Sequence, residues 1–206
     1  MGLYVLYFGT TRQYPEIAHH TIVFGNDYRE LLKQIFRGDG LSDDPSLYLH
    51  RPTATDPSLA PDGHDGFYVL APVPNLRKLD GWDESRRAAF RRRVLDILEQ
   101  RLLPGLSANL DVAFDMTPVE FERDYRSMWG AGFSVAPIFR QSAWFRFHNR
   151  SEELEDLYFV GAGTHPGAGV PGVLSSAKVV ENLLRESVAP QAASSRAAGR
   201  GSLRNG

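Results

Sequence analysis

The 206-residue sequence contains no cysteine, so the chain forms no disulfide, zinc–thiolate site, iron–sulfur cluster or catalytic thiol. It has no run of about eighteen apolar residues, which predicts no bilayer-spanning segment, and no basic stretch before an apolar run at its start, which argues against a secretory signal. Its formal net charge of −2 gives no electrostatic reason to expect a nucleic-acid partner. It also lacks the G-x-S-x-G and Walker A patterns, so serine-hydrolase and P-loop chemistry find no support.

Glycine, by contrast, is concentrated in a segment that follows the apolar, strand-like run Leu157–Val160. Glycine allows positive φ angles and close approach by another group. Pro171 suits the first turn of a helix, and the apolar residues between Val173 and Leu184 recur at helical spacing. The segment therefore predicts a buried strand, a glycine-rich turn and a helix that begins near Pro171. Five glycines fall within twelve positions of this turn: Gly161, Gly163, Gly167, Gly169 and Gly172.

Two interpretations of this turn compete. In the first, the glycines serve only the packing of a tight strand-to-helix connection. In the second, the turn is a cofactor site, because the free N–H groups at a helix start favour an anion or an electron-rich carbonyl. Five glycines exceed what a turn needs, so we favour the cofactor site. Gly167–Gly172 also matches G-x-G-x-x-G, but six residues separate it from Val160 and no second strand follows, so we reject the classical dinucleotide fingerprint.

In the rest of the chain, some segments have the hydrophobic pattern of a strand and others that of a helix. Strands are predicted at residues 3–8, 20–24, 46–51, 66–71 and 110–114, and helices at residues 28–36, 82–103 and 118–125. Several strands, then helices, then a closing strand–turn–helix imply an α/β or α+β fold with a mixed β-sheet. Residues 188–206 are rich in Ala, Ser, Gly and Arg and predict a disordered tail.

Two further features leave alternatives open. The helix at 82–103 carries five arginines between residues 86 and 93 beside an apolar stripe, which fits either an anionic membrane surface or ordinary packing of the stripe on the sheet. A group of aromatic residues fits either the lining of a tunnel for a long polyene or ordinary core. That group comprises Trp129, Phe133, Phe139, Trp144, Phe145 and Phe147.

The histidines predict no metal site. Glu16, His19 and His20 lie close together in the sequence, but no second cluster completes a coordination set, so a structural role is favoured. His165 differs from the other histidines because it lies inside the glycine-rich turn, where a role beside a bound cofactor is one interpretation. Isolated histidines with predicted structural roles are His50, His64 and His148.

The glycine-rich run from Leu157 to Gly172 resembles the C-terminal FAD-contacting segment of the bacterial-type phytoene desaturases, which are flavoproteins that form carotenoids. The similarity covers roughly residues 3 to 187 and includes several long motifs in the correct order. Those motifs are His19–Gly25, Asp44–Thr53, Phe67–Pro74, Gln141–Arg146 and His148–Arg150.

This resemblance implies a mixed-sheet substrate domain at residues 1–150, then the closing strand–turn–helix of a FAD/NAD(P)-binding flavoprotein fold at residues 151–187. It also implies that the N-terminal Rossmann unit is missing, so that activity would need an N-terminal half or a partner subunit. The cofactor would be FAD, and backbone around Val170 would stabilise negative charge that develops on the flavin. The implied FAD contacts are Gly161, Ala162, Gly163, Thr164, His165, Gly169, Val170, Pro171 and Gly172.

The resemblance further implies dehydrogenation of phytoene towards neurosporene or lycopene by a cytoplasmic protein that touches the membrane peripherally and takes an apolar polyene. Two alternatives remain: desaturation of another carotenoid, such as a hydroxylated one, or a carotenoid- or lipid-binding module without redox chemistry. The catalytic residues are unassigned, because the resemblance leaves open that the matching carboxylate lies in the half that it implies is missing.

Overall fold

The computed structural model describes residues 1–38, 40–79, 81–135 and 138–200. The chain divides into two compact units, one at residues 1–132 and one that begins at residue 133. This division lies earlier in the chain than the predicted domain boundary after residue 150. None of the described helices is both long enough and apolar enough to cross a membrane.

The first unit contains five strands and four α-helices among its described residues, besides short 3-10 turns. The positions of the predicted strands and helices in this unit are confirmed, with ends that differ by at most three residues. The elements are β1 Gly2–Thr10, β2 His20–Val23, α1 Tyr28–Arg37, β3 Leu47–His50, β4 Asp65–Val73, α2 Glu84–Arg101, α3 Leu106–Asn109, β5 Leu110–Met116 and α4 Pro118–Tyr125.

The five strands form one sheet in the order β2-β3-β4-β1-β5, and every neighbouring pair is antiparallel. The prediction of a mixed sheet was therefore wrong. Helix α2 does connect two strands that run in the same direction, β4 and β5, as a strand–helix–strand pattern suggests. However, β1 lies between them and pairs antiparallel with both, which is the arrangement of a split βαβ unit.

The core lies between one face of this sheet and helix α2. Side chains alternate between the faces of a strand, so β4 buries every second residue, from Asp65 to Val73. The stripe of α2 formed by Phe90, Val94 and Leu98 is buried against the same core cluster. This confirms that the apolar stripe of α2 packs on the sheet.

Two arginines of α2 are held by the buried carboxylate of Asp115 on β5. Arg91 Nε donates to Asp115 at 2.7 Å, Arg87 donates to the other carboxylate oxygen, and the Tyr4 hydroxyl donates at 2.7 Å. Burial raises the pKa of Asp115, but the hydrogen bonds from Arg91, Tyr4 and Arg87 outweigh it and hold the pKa below its ordinary value. These arginines serve the fold rather than a membrane surface.

A second buried carboxylate, Asp65 at the start of β4, organises the loops at the end of the sheet. It accepts from Arg51 Nε at 2.9 Å, from the Tyr14 N–H at 2.7 Å and from the Thr53 hydroxyl at 2.7 Å. Arg51 also donates to the carbonyl of Ile17 at 3.0 Å. Asp65 thereby fixes the segment that leads into β2 and the segment that leaves β3.

The second unit has little regular structure before its long helix, α5 Val170–Arg200. The start of α5 confirms the helix predicted near Pro171. Residues 188–200 continue that helix where the composition predicted disorder, and alanine-rich sequence has high helix propensity. Residues 201–206 of the predicted tail lie outside the described part of the chain.

The predicted strand at Leu157–Val160 is wrong. Only Tyr158 makes a bridge, to Arg150, and the neighbouring side chains of Phe159 and Val160 are exposed. An apolar run becomes a strand only when a neighbouring segment pairs with it over several residues, and in the described part of this unit the run has a single bridge.

The aromatic group of the sequence analysis is not buried core either. Each of its members is at least two fifths exposed, and Phe139 and Trp144 are 80% and 74% exposed. Of the two interpretations, ordinary core is therefore wrong.

Candidate functional site

The glycine-rich turn is held on one side by a buried asparagine. Asn149 Nδ2 donates to the carbonyl of Phe159 at 3.0 Å and to Thr164 Oγ1 at 3.2 Å, and the Phe159 N–H donates to the Asn149 carbonyl at 2.8 Å. The Thr164 hydroxyl in turn donates to the Gly161 carbonyl at 3.0 Å. Asn149 and Thr164 are both buried, and these hydrogen bonds satisfy the side-chain NH2 group of Asn149 and the hydroxyl of Thr164 within the turn.

Two further side chains hold the same turn from other directions. Arg146 Nη2 donates to the Ala162 carbonyl at 2.6 Å. The buried Ser176 hydroxyl, one and a half turns into α5, accepts from the Gly161 N–H at 2.9 Å and donates to the Val173 carbonyl at 2.6 Å. Each contact ties the turn to a different segment of its unit, which gives the turn one defined shape.

Sequence reasoning did not assign these supporting roles. Arg146 and Asn149 lie in motifs that carried the resemblance, but their action on the turn was not foreseen. Ser176 carried no signal, because a serine on a helix is ordinary and its contact with Gly161 depends on the return of the chain.

Four of the five glycines of the turn fall into two groups. A Cβ on Gly172 would lie 2.6 Å from the Gly167 carbonyl oxygen, and one on Gly163 would lie 2.8 Å from Ser134 Oγ, so these two glycines allow close internal packing. Gly161 and Gly169 have φ angles of +119° and +88°, and no heavy atom lies within 4 Å of where their Cβ atoms would be. Packing therefore accounts for only some of the glycines.

The open glycine Gly169 immediately precedes helix α5. The Val173 N–H donates to the Gly169 carbonyl at 2.9 Å, and Val170 is 74% exposed. The first N–H groups of any helix lack acceptors within the helix and carry partial positive charge. This end of the turn therefore presents exposed backbone and a helix N-terminus side by side.

The predicted contact residues differ in accessibility. Gly169, Val170 and Pro171 are exposed, whereas Thr164 is buried and serves the internal hydrogen bonds described above. His165 is partly buried, and its backbone N–H donates to the Phe147 carbonyl at 2.9 Å. The remaining predicted contacts are also partly buried: Gly161, Ala162, Gly163 and Gly172.

An open groove of 790 Å³ lies in the same unit and shares Arg146 and Phe159 with the supports of the turn. Part of its lining is aromatic, and Phe147 and Trp144 among these residues are exposed. The lining also includes charged side chains, namely Arg150, Glu152 and Glu153, so the groove combines aromatic and charged walls. Its principal lining residues are Trp144, Phe145, Arg146, Phe147, His148 and Phe159.

The sequence of this chain is similar to the sequences of a group of curated enzymes. The chain is 51% identical over 187 residues to the phytoene desaturase (lycopene-forming) of Pseudescherichia vulneris, covering 90% of this chain and 38% of that protein. It is 48% identical over 195 residues to the phytoene desaturase (neurosporene-forming) of Rhodobacter capsulatus, covering 93% and 37%. This chain is homologous to a segment of the bacterial phytoene desaturases.

More distant relatives have names of related enzymes. The 4,4'-diapophytoene desaturase (4,4'-diapolycopene-forming) of Methylomonas sp. is 39% identical over 184 residues, which cover 89% of this chain and 36% of that protein. No family model matches the chain. The chain spans less than two fifths of the length of the phytoene desaturases it matches. This agrees with the prediction that the chain resembles only part of such an enzyme.

Proposed function

We propose that this chain provides the substrate-binding sheet and a flavin-contacting turn of a FAD-dependent phytoene desaturase. The observation that carries this proposal is the 48–51% identity to relatives named phytoene desaturase over about nine tenths of the chain. Relatives named for diapophytoene are less similar, at 37–39% identity, which favours phytoene as the substrate. Relatives named for lycopene and for neurosporene are equally similar, so we propose desaturation towards either product.

The turn has the features that a flavin contact requires. Backbone at Gly161 and Gly169 is open and has the positive φ angles that glycine tolerates, so a planar ring system can approach without meeting a Cβ. When bound, the flavin of FAD accepts a hydride from the substrate. The N-terminus of α5 at Val170 supplies partial positive charge where negative charge would develop, and the contacts of Arg146, Asn149 and Ser176 keep that terminus in place.

For the apolar polyene we propose the sheet face opposite α2. Cross-strand neighbours place Tyr68, Tyr7 and Phe114 in one row on this face, with ring centroids 5.9 Å and 4.9 Å apart along the row. Phe114 is 58% exposed, and Ile22 on the edge strand is 61% exposed. An aromatic row is a suitable surface for a conjugated chain, because its rings offer a large apolar contact area.

For peripheral membrane contact we propose the aromatic segment from Phe139 to Phe147 rather than helix α2. The arginines of α2 that face Asp115 are engaged within the fold, whereas Phe139, Trp144 and Phe147 are largely exposed. Large exposed aromatic side chains favour the interface between water and the hydrocarbon of a bilayer.

The experiment that tests the proposed function is a segment exchange. The part of the Pseudescherichia vulneris enzyme that aligns with this chain is replaced by this chain, and the purified chimera is assayed for bound flavin and for conversion of phytoene. We expect flavin absorbance and coloured desaturated products. As a matched control, the same part is replaced by the aligned segment of the Rhodobacter capsulatus enzyme, which tests whether an exchange is tolerated at all.

Two results contradict the proposal. If the control chimera is active while the folded chimera of this chain binds flavin but leaves phytoene unchanged, the proposed activity is wrong. If the folded chimera binds no flavin, the proposed cofactor contact is wrong.

A further inference from the structure

Three histidines meet at the edge of the sheet in the first unit. Strand β2 pairs with β3 so that His20 lies opposite His50, and His19 directly precedes β2. One ring nitrogen from each histidine lies within 4.8 Å of the other two. The ring centroid of His19 lies 4.4 Å from that of His20 and 4.6 Å from that of His50. The sequence analysis missed this group, because His50 is distant in the sequence and only the strand register brings it in.

We propose that His19, His20 and His50 bind a divalent transition-metal ion, with Zn²⁺ as the preferred ion, through their imidazole nitrogens. Imidazole suits Zn²⁺, Cu²⁺ and Ni²⁺, whereas Ca²⁺ and Mg²⁺ require oxygen ligands, and this group contains no carboxylate. Three histidines with a fourth position open to solvent form a known type of zinc coordination. The proposal is independent of the flavin and of the proposed substrate.

Hydroxyl groups orient two of the three rings. His19 Nδ1 lies 2.5 Å from Thr55 Oγ1, and His20 Nδ1 lies 2.7 Å from the hydroxyl of Tyr48. When Nδ1 donates to such a partner, the lone pair is on Nε2, which is the usual arrangement around a metal-binding histidine. In that tautomer the Nε2 atoms of both rings carry the lone pairs that would bind the ion, and the ion would replace the contact between His19 Nε2 and His50 Nε2.

The third ring is close enough to share an ion with the first. His50 Nε2 and His19 Nε2 are 2.8 Å apart. Zinc–nitrogen distances of about 2.0–2.1 Å at a tetrahedral angle separate two ligand nitrogens by about 3.3 Å, so the pair needs to open by about 0.5 Å. A shift of this size needs only small rotations of the rings.

The protein around the group holds it in place. The Arg51 N–H donates to the His19 carbonyl at 2.9 Å, and the Arg51 side chain is fixed by Asp65. This backbone contact ties the residue before β2 to the residue after β3, and so keeps His19 beside the strand end that carries His50.

A cobalt titration tests the proposal. The full chain, without a histidine tag and freed of metal by a chelator, is titrated with Co²⁺, and the visible absorption of protein-bound Co²⁺ is recorded before competition with Zn²⁺. We expect one Co²⁺ per chain and displacement by Zn²⁺. Replacing the exposed His20 by Gln should weaken binding by at least about a hundredfold, because the loss of one outer-shell contact alone costs ten- to a hundredfold. His50→Gln should have the same effect.

The matched control is His64→Gln. His64 lies in the loop before β4 and is not part of the three-histidine group, so its loss should leave Co²⁺ affinity unchanged. Circular dichroism checks that each variant is folded. The proposal is overturned if the folded wild-type chain gives no saturable Co²⁺ absorption, or if His20→Gln binds Co²⁺ as tightly as the wild type.

Discussion

The substitution Gly169→Val tests whether the open end of the glycine-rich turn is where the flavin binds. Gly169 has a φ angle of +88° and no heavy atom within 4 Å of its absent Cβ, so valine fits sterically but requires an unfavourable backbone. Gly63 provides a matched control, because its φ angle is +77° and its surroundings are equally open, but it lies in a loop of the other unit. The two substitutions therefore impose similar strain at different places.

The strain sets the expected magnitude. A non-glycine residue with positive φ costs about 1–3 kcal/mol, and a β-branched residue lies towards the upper end. Both variants should lose about that much free energy of unfolding. At Gly169 the valine side chain occupies the open space, and the backbone at the start of α5 must either stay strained or move. If flavin binding has to overcome the same 1–3 kcal/mol, flavin affinity should fall by about 5- to 150-fold. At Gly63 flavin affinity should not change.

The assay uses the chimera described above, in which flavin retention is read from absorbance after dialysis and affinity from a FAD titration of the stripped protein. Urea unfolding of each variant measures the cost of the strain separately. Equal flavin affinity in Gly169→Val and Gly63→Val, with both variants folded, would refute the reasoning that places the flavin at this turn.

Three further predictions concern the buried polar groups. Asp65→Asn should lower the free energy of unfolding of the full chain by about 3–5 kcal/mol in urea, because it leaves the buried charge of Arg51 unpaired; a loss below about 1 kcal/mol contradicts this. Since the folded-state pKa of Asp115 is lowered, its stabilisation is complete above the unfolded pKa of about 3.9 and is lost as the pH falls towards the folded pKa. The stability deficit of Asp115→Asn at pH 7 should therefore shrink in urea titrations at pH 3, and a constant deficit argues against the prediction. Ser176→Ala removes the acceptor of the Gly161 N–H and should lower the free energy of unfolding by about 1–3 kcal/mol, measured by thermal unfolding. Ser187→Ala is the control and should leave the free energy of unfolding nearly unchanged, because the Ser187 hydroxyl makes its contact in a solvent-exposed position.

The local patterns of the sequence determined most of the secondary structure. The helix predicted at residues 118–125 is α4 itself, where Thr117 and Glu120 form a capping box and Pro118 occupies the first turn. The stripe that begins at Phe90 predicted the buried face of α2, and short apolar runs rich in β-forming residues predicted the strands. Spacing of this kind is encoded within about ten residues, so it can be recognised without knowledge of the remaining chain.

The tertiary structure decided what depends on residues far apart in the chain. The apolar patterns do not specify that β1 lies between β4 and β5, and this placement makes the sheet antiparallel. Only the structure distinguished the open glycines Gly161 and Gly169 from those needed for packing. The run Leu157–Val160 has the composition of a strand, but in the described unit it pairs only through the single bridge between Tyr158 and Arg150, and a strand needs a partner over several residues.

The histidines show the same limit most clearly. The sequence contains His19 and His20 as an adjacent pair and His50 as an isolated residue, which by itself indicates no metal site. Register alone decides that His20 and His50 are opposite one another, since a slip of one residue would turn His50 to the other face of the sheet. Residue types and their short-range spacing were fixed by the sequence, whereas their convergence into a site required the pairing of strands that the chain brings together over long distances.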